Sequence, residues 1–176
     1  MRDPHPDATD GHLRRLLAAL PGLPLTAFCA FEGFAVTFDF GTRNRVVARS
    51  GWAYASDVSL HVQCGWRLAF GELVMVGSDD AHQPPAEPGS GAADRMAERV
   101  VELNPAVLGS VVRRARAGPG GRLELRFVGG LVLDVVPLAS PALPDDAHWR
   151  LIEAAGARVH VVAEARGLRA EHPGNA

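Results

Sequence analysis

The sequence predicts an α+β fold, mainly antiparallel β-meanders in two similar halves, arranged as a sandwich or half-barrel with an N-terminal helix and a central helix. Apolar and polar residues alternate in several segments, which is the pattern of strands with one buried face. The Gly129-Gly130 pair between two such segments indicates a tight hairpin turn. Two other segments carry apolar residues at helical spacing instead.

The two helices are predicted from leucine and valine spacing. The first covers about Gly11 to Leu20, with Asp10 as its N-cap and four leucines on one face. The central helix covers about Ala92 to Leu103. Asn104-Pro105 fits an N-cap and a first helical position, so we expect a second short helix to begin there.

The longest predicted strand is Val58 to Phe70, in which every second residue is apolar. Cys64 belongs to that apolar set, so it is expected to be a small core residue. Shorter strands are predicted on either side of it and in the last third of the chain. These are residues 25–31, 34–40, 73–76, 122–128, 131–136, 148–152 and 158–163.

The chain is expected to form one domain over residues 1–176. Within it, residues 24–80 and 108–165 are predicted to be similar halves, and residues 1–9 and 166–176 to be flexible tails. The 92–116 region is interpreted as the connector between the halves.

The similarity of the halves depends on two pairs of segments. Val36–Gly41 matches Leu123–Phe127, and Trp66-Arg67-Leu68 matches Trp149-Arg150-Leu151. A duplicated β-meander would explain both matches. Because neighbours on a strand point to opposite faces, each tryptophan is expected in the core and each arginine on the polar face.

Composition limits the classes of function. There are 18 basic and 20 acidic residues, for a formal charge of −2, which argues against a nucleic-acid-binding protein. No apolar run approaches the roughly 18 to 20 residues that span a bilayer, so no membrane association is expected. All the basic side chains are arginine, so lysine-dependent chemistry is excluded. We expect a cytoplasmic protein, and the sequence assigns no cofactor.

Three polar residues on predicted strands are candidate catalytic residues. His61 carries an imidazole, the side chain that generally exchanges protons near neutral pH, and Arg67 and Arg150 carry guanidinium groups suited to anions. If duplication places the two arginines together, they would clamp one small anionic ligand while His61 acts as acid or base. The alternative is that each residue simply lies on a solvated strand face.

The Asp79-Asp80-Ala81-His82 segment is a candidate metal site. Carboxylate and imidazole groups in a short loop are ligands that divalent ions accept. The alternative is a turn in which Asp79 and Asp80 bond the backbone.

The chain resembles a group of small uncharacterised proteins from high-GC bacteria. The resemblance is carried by Leu60-His61-Val62-Gln63-Cys64-Gly65-Trp66-Arg67-Leu68, by Val76-Gly77-Ser78-Asp79, and by His148-Trp149-Arg150-Leu151. It implies a fold of two β-rich halves and implies no activity. Gly65 stands where the group has proline, which favours a bend or bulge at that point.

Three hypotheses for the function follow. The first is a binding or accessory protein that acts through a protein or peptide partner or as a homodimer, because no catalytic motif is present. The second is a small cofactor-free enzyme that uses His61, Arg67 and Arg150. The third is a divalent-metal protein that uses Asp79, Asp80 and His82.

Overall fold

The computed structural model describes residues 6–31, 35–48, 51–82, 92–137, 147–153, 160–164 and 167–171. The helices are α1 (Pro6–Ala19) and α2 (Ala92–Val107). The strands are β1 (Leu25–Ala30), β2 (Val36–Phe40), β3 (Asn44–Ala48), β4 (Gly51–Ala55), β5 (Val58–Val62), β6 (Gly65–Phe70), β7 (Leu73–Gly77), β8 (Val112–Ala117), β9 (Leu123–Phe127), β10 (Leu131–Val136), β11 (Ala147–Glu153), β12 (His160–Glu164) and β13 (Gly167–Glu171).

The strands form two large antiparallel sheets and one separate hairpin. The six-stranded sheet has the order β1-β2-β5-β11-β12-β13, and the five-stranded sheet has the order β7-β6-β10-β9-β8. The hairpin pairs β3 with β4. The predicted α+β class, with an N-terminal and a central helix, is therefore confirmed. In the part of the chain that is described, neither helix is long and apolar enough to span a bilayer.

One apolar core joins the inward faces of both sheets and the apolar faces of both helices. Trp66 and Trp149 are 3% and 1% exposed, so the expected burial of both tryptophans is confirmed. Phe28 and Phe38 stack with ring centroids 4.6 Å apart, and each meets Trp66 edge-on. The Trp149 Nε1–H donates to the carbonyl oxygen of Gly121 at 2.6 Å.

The predicted single strand over residues 58–70 is wrong, because the chain changes sheets in its middle. Alternation continues through the break, so Val62, Cys64 and Trp66 are all buried. The pairing partners change instead, from Trp149 opposite Val62 to Val136 opposite Gly65. A Cβ on residue 65 would lie 2.9 Å from the Val136 carbonyl oxygen, so glycine allows this close approach.

The two halves share a helix, a three-stranded meander and a crossing strand in the same order, and these strands pair in the same register, although the β3–β4 hairpin and β13 occur on one side only. In each half a helix precedes a three-stranded meander, β1-β2-β5 in one and β8-β9-β10 in the other. A β-bulge interrupts the first pairing of each meander at the matching place, after Leu25 and after Val112. Leu60 then pairs with Leu151 in one sheet as Leu133 pairs with Leu68 in the other.

The matching extends to the backbone where the halves meet. The N–H of Leu25 donates to the Ser110 carbonyl, and the N–H of Val112 donates to the Leu23 carbonyl. These two bonds flank an isolated bridge between Pro24 and Val111. The halves therefore contact each other through equivalent segments, residues 23–25 and residues 110–112. The second segment lies within the 92–116 region, which the sequence assigns to a connector. The duplication itself stays a prediction.

The helix boundaries differ from those expected. Helix α1 begins at Pro6, so Asp10 lies inside it rather than at its N-cap; proline suits a first helical turn because no internal bond needs its N–H. Helix α2 continues through Pro105 to Val107, so no separate second helix forms. The Asn104 amide donates to the Phe28 carbonyl and does not cap a helix.

Several strands were not expected. The hairpin of β3 and β4 occupies a segment with little alternation, and β8 and β13 lie in segments assigned to the connector and to a tail. Residues 6–9 are also helical rather than part of a tail. Backbone pairing with β12 places β13 in the sheet, although its sequence carries only one large apolar residue.

Candidate functional site

A groove of about 990 Å³ lies on the outward face of the five-stranded sheet. All five strands contribute to its lining, and arginine is the commonest residue type there. We call it the arginine groove. It is lined by Arg67, Ala69, Gly71, Glu72, Val74, Arg113, Arg114, Arg116, Arg122, Glu124, Arg126, Phe127, Gly129, Gly130, Leu131, Val132 and Asp134.

Strand pairing arranges most of these side chains in two rows that cross the sheet. Residues directly opposite each other on neighbouring antiparallel strands share a face, so each row follows from the register. The apolar–basic row is Val74, Ala69, Val132, Arg126 and Arg114. The charged row is Arg67, Asp134, Glu124 and Arg116.

Asp134 is the buried centre of the charged row, with 4% of the residue exposed. The Arg122 guanidinium donates to both of its carboxylate oxygens, each at 2.9 Å. Arg67 Nη2 donates to the same carboxylate at 3.1 Å. The hydrogen bond to Asp134 raises the pKa of Arg122. Asp134 therefore holds two guanidinium groups in place on the floor of the groove.

Glu124 holds a third guanidinium on the same face. Arg126 donates to its two carboxylate oxygens at 2.8 and 3.1 Å. This hydrogen bond lowers the pKa of Glu124, and burial opposes the effect only in part. The Glu124 carboxylate is thus kept ionised and paired.

The three arginines of β8 are held less firmly. Arg113, Arg114 and Arg116 are exposed, and among the described residues none of them has a side-chain hydrogen bond to a carboxylate. Arg116 lies opposite Glu124 and its charge helps to lower the pKa of that carboxyl. Six arginines and three carboxylates line the groove, so its lining carries a formal excess of positive charge. This excess is local, since the whole chain has a charge of −2.

The matching face of the other half shows that the fold does not require these arginines. By register, the positions of Arg114 and Arg116 on β8 correspond to Ala27 and Cys29 on β1. The position of Arg126 on β9 corresponds to Asp39 on β2. The same backbone arrangement therefore exists with neutral and acidic side chains, and the basic character belongs to one face only.

The structure brings two of the three predicted catalytic residues together and separates Arg67 from them. Arg67 lies on β6 and lines the arginine groove. Arg150 lies on β11 directly opposite His61 on β5, within the six-stranded sheet, and neither lines the groove. The two arginines do occupy equivalent positions, as duplication predicts, but equivalent positions fall in different sheets.

The predicted metal-binding residues lie in a short 3-10 helix, Ser78–His82. Asp80 Oδ2 accepts a hydrogen bond from the Gly77 N–H at 2.7 Å, and Asp79 is exposed. The His82 side chain lies outside the described part of the structure. Within that part no group of three or more His, Cys, Asp and Glu side chains could hold a metal ion.

Sequence reasoning missed five of the six arginines that line the groove. For β8 the sequence does carry a strand pattern, since alanine alternates with arginine after the bulge in Val112-Arg113-Arg114-Ala115-Arg116-Ala117. A signal for β9 exists in Arg122, Glu124 and Arg126, the polar face of the hairpin predicted there. The order of the strands brings both sets together.

Comparisons with known proteins return no match. No family model, no curated protein and no solved structure is significantly similar to this chain.

Proposed function

We propose that this protein is a binding protein that holds an acidic peptide segment of a partner protein in the arginine groove. The observation that carries the proposal is the set of exposed arginines on β8, of which Arg113 and Arg114 lack a carboxylate partner among the described residues. Guanidinium groups donate paired hydrogen bonds to carboxylates, so unpaired arginines in a groove favour a carboxylate ligand.

The rest of the groove supports the same ligand. Asp134 and Glu124 fix Arg67, Arg122 and Arg126 in orientation, which reduces the entropy lost when a ligand binds. The arginines come from three strands and do not surround one point, which suits an extended ligand better than a single small anion. A nucleic acid is disfavoured by the overall negative charge.

The lining also favours binding over catalysis. None of the described lining residues is a histidine, cysteine, serine, threonine, tyrosine or lysine. The usual nucleophiles are therefore absent from the lining, and two of its three carboxylates, Glu124 and Asp134, are engaged by arginine.

The test is fluorescence anisotropy with a labelled peptide of alternating glutamate and serine. The wild-type protein is expected to bind it, with affinity that falls as NaCl is raised. The double variant Arg114→Gln, Arg116→Gln is expected to bind at least about tenfold more weakly, because each charge-assisted contact contributes on the order of 1 kcal/mol or more.

Arg43→Gln is the matched control. Arg43 is exposed, stacks 4.8 Å above the Tyr54 ring and does not line the groove. It removes one positive charge, half of what the double variant removes, from a site outside the groove, so it should leave the affinity within about twofold. Equal losses in both proteins, or equal binding of a lysine–serine peptide, would contradict the proposal.

A further inference from the structure

One row of the arginine groove is apolar at one end. In the apolar–basic row, Val74, Ala69 and Val132 follow one another on β7, β6 and β10 before the row reaches Arg126. Val74 is 49% exposed, and Ala69 between the two valines has only a small side chain. Gly129 and Gly130, in the turn between β9 and β10, line the groove without side chains.

We infer that the peptide held in the groove has an acidic residue and a large apolar residue three positions apart, in an extended polyproline-II-like conformation. This inference rests on the proposed function, because it names the ligand of the same groove. A carboxylate between Arg114 and Arg126 and an apolar side chain over Ala69 and Val132 would use both ends of one row.

The spacing follows from strand geometry. Neighbouring strands lie about 4.8 Å apart, so the midpoint between Arg114 and Arg126 is roughly 10 Å from the midpoint between Val132 and Ala69. A polyproline-II segment rises about 3.1 Å per residue and returns to the same face every third residue, which covers roughly 9 Å. In a β-strand the third residue would face away from the groove, so that conformation does not match.

The charge pattern decides which side of the sheet binds the acidic residue and which binds the apolar residue. The unpaired arginines lie on β8 at one edge of the sheet, whereas the apolar residues lie toward β7 at the other edge. The acidic residue therefore lies over β8 and β9, and the apolar residue over β10 and β6.

The experiment uses four labelled peptides with Gly-Ser flanks, centred on Glu-Pro-Pro-Leu, Glu-Leu-Pro-Pro, Glu-Pro-Pro-Ser and Gln-Pro-Pro-Leu. Anisotropy with the full-length protein is expected to rank Glu-Pro-Pro-Leu first. Loss of leucine is expected to weaken binding about fivefold, which fits partial burial of one apolar side chain. Moving leucine next to glutamate is expected to have the same effect.

The double variant Val74→Thr, Val132→Thr tests the apolar end. Threonine is β-branched like valine, so the strands should keep their conformation. The variant is expected to lose the preference for Glu-Pro-Pro-Leu while it binds Glu-Pro-Pro-Ser as the wild type does. Arg114→Gln is expected to weaken both glutamate peptides.

The outcomes separate this inference from the proposed function. If all glutamate peptides bind equally and depend on Arg114, the groove binds acidic peptides but the spacing inference is wrong. If no glutamate peptide binds at millimolar concentration, both are wrong. If dodecanoate binds and displaces Glu-Pro-Pro-Leu more strongly than unlabelled Glu-Pro-Pro-Leu does, the ligand is a free amphiphile and the inference is overturned.

Discussion

Arg114 and Arg126 lie directly opposite each other on β8 and β9, although both side chains are positively charged. Like charges at directly opposed positions destabilise a pair of antiparallel strands. Glu124 neutralises Arg126, but Arg114 has no carboxylate partner among the described residues. We therefore expect the uncompensated Arg114 charge to cost stability in the unbound protein, and an incoming carboxylate would relieve that cost.

Replacing Arg114→Gln is expected to stabilise the unbound protein at low salt. The urea midpoint should rise by on the order of 0.2 M, because the like-charge contact is removed. The gain should disappear in 1 M NaCl, where the screening length is only about 3 Å. Urea denaturation at both salt concentrations measures this, with Arg43→Gln as the control. A gain that is the same at both concentrations would contradict the electrostatic explanation.

Replacing Asp134→Asn is expected to destabilise the protein by about 2 kcal/mol. Asparagine keeps the shape of the buried side chain but removes the charge that accepts hydrogen bonds from Arg67 and Arg122. Glu124→Gln should cost less, because the Glu124 side chain is 23% exposed whereas that of Asp134 is 6% exposed. Urea denaturation of both variants gives the comparison, and an equal or larger loss for Glu124→Gln would disagree with it.

Two glycine substitutions are expected to change stability in opposite directions. Gly65→Ala should destabilise by about 1–3 kcal/mol, because its Cβ would lie 2.9 Å from the Val136 carbonyl oxygen where the chain changes sheets. Gly11→Ala should stabilise by up to about 1 kcal/mol, because residue 11 is helical and nothing lies within 4 Å of its Cβ. Thermal denaturation measures both, and a tolerated Gly65→Ala would show that β6 and β10 can separate there.

The buried Cys64 thiol is expected to make the free energy of unfolding fall at alkaline pH. Burial raises its pKa from 9.0 to about 12, so the unfolded chain releases this proton at lower pH than the folded chain. The contribution of the buried thiol to the free energy of unfolding is fully present below pH 9. It is lost as the pH rises toward 12, at about 1.4 kcal/mol per pH unit. Urea denaturation from pH 8 to 11 should show a steeper loss in the wild type than in Cys64→Ala. Parallel curves would contradict the assignment.

Alternation of apolar residues was sufficient to predict the class of the fold and most of its core. The faces that carry Leu60, Trp66, Leu125 and Leu133 are buried as the spacing indicates. Alternation in the sequence indicates which face of a strand is buried, but it does not indicate which strand lies beside it. The change of sheets between Val62 and Gly65 therefore could not be predicted from the sequence. Pairing partners depend on contacts between residues far apart in sequence.

The candidate site was harder to predict for the same reason. Arg67 was identified, but its expected partner Arg150 lies in the other sheet. The arginines that do share the groove with Arg67 come from β8 and β9. Strand β8 has three arginines and only one fully buried residue, Val112, so its periodicity is weak.

Helix α1 packs on β8, β12 and β13, which all follow α2 in the chain, and α2 packs on β1 and β7, which follow α1. Each helix therefore covers strands that follow the other helix. Loosening one helix is expected to weaken the strands that it covers there. The whole molecule is expected to gain and lose its structure in one cooperative step, with the groove and both helices interdependent.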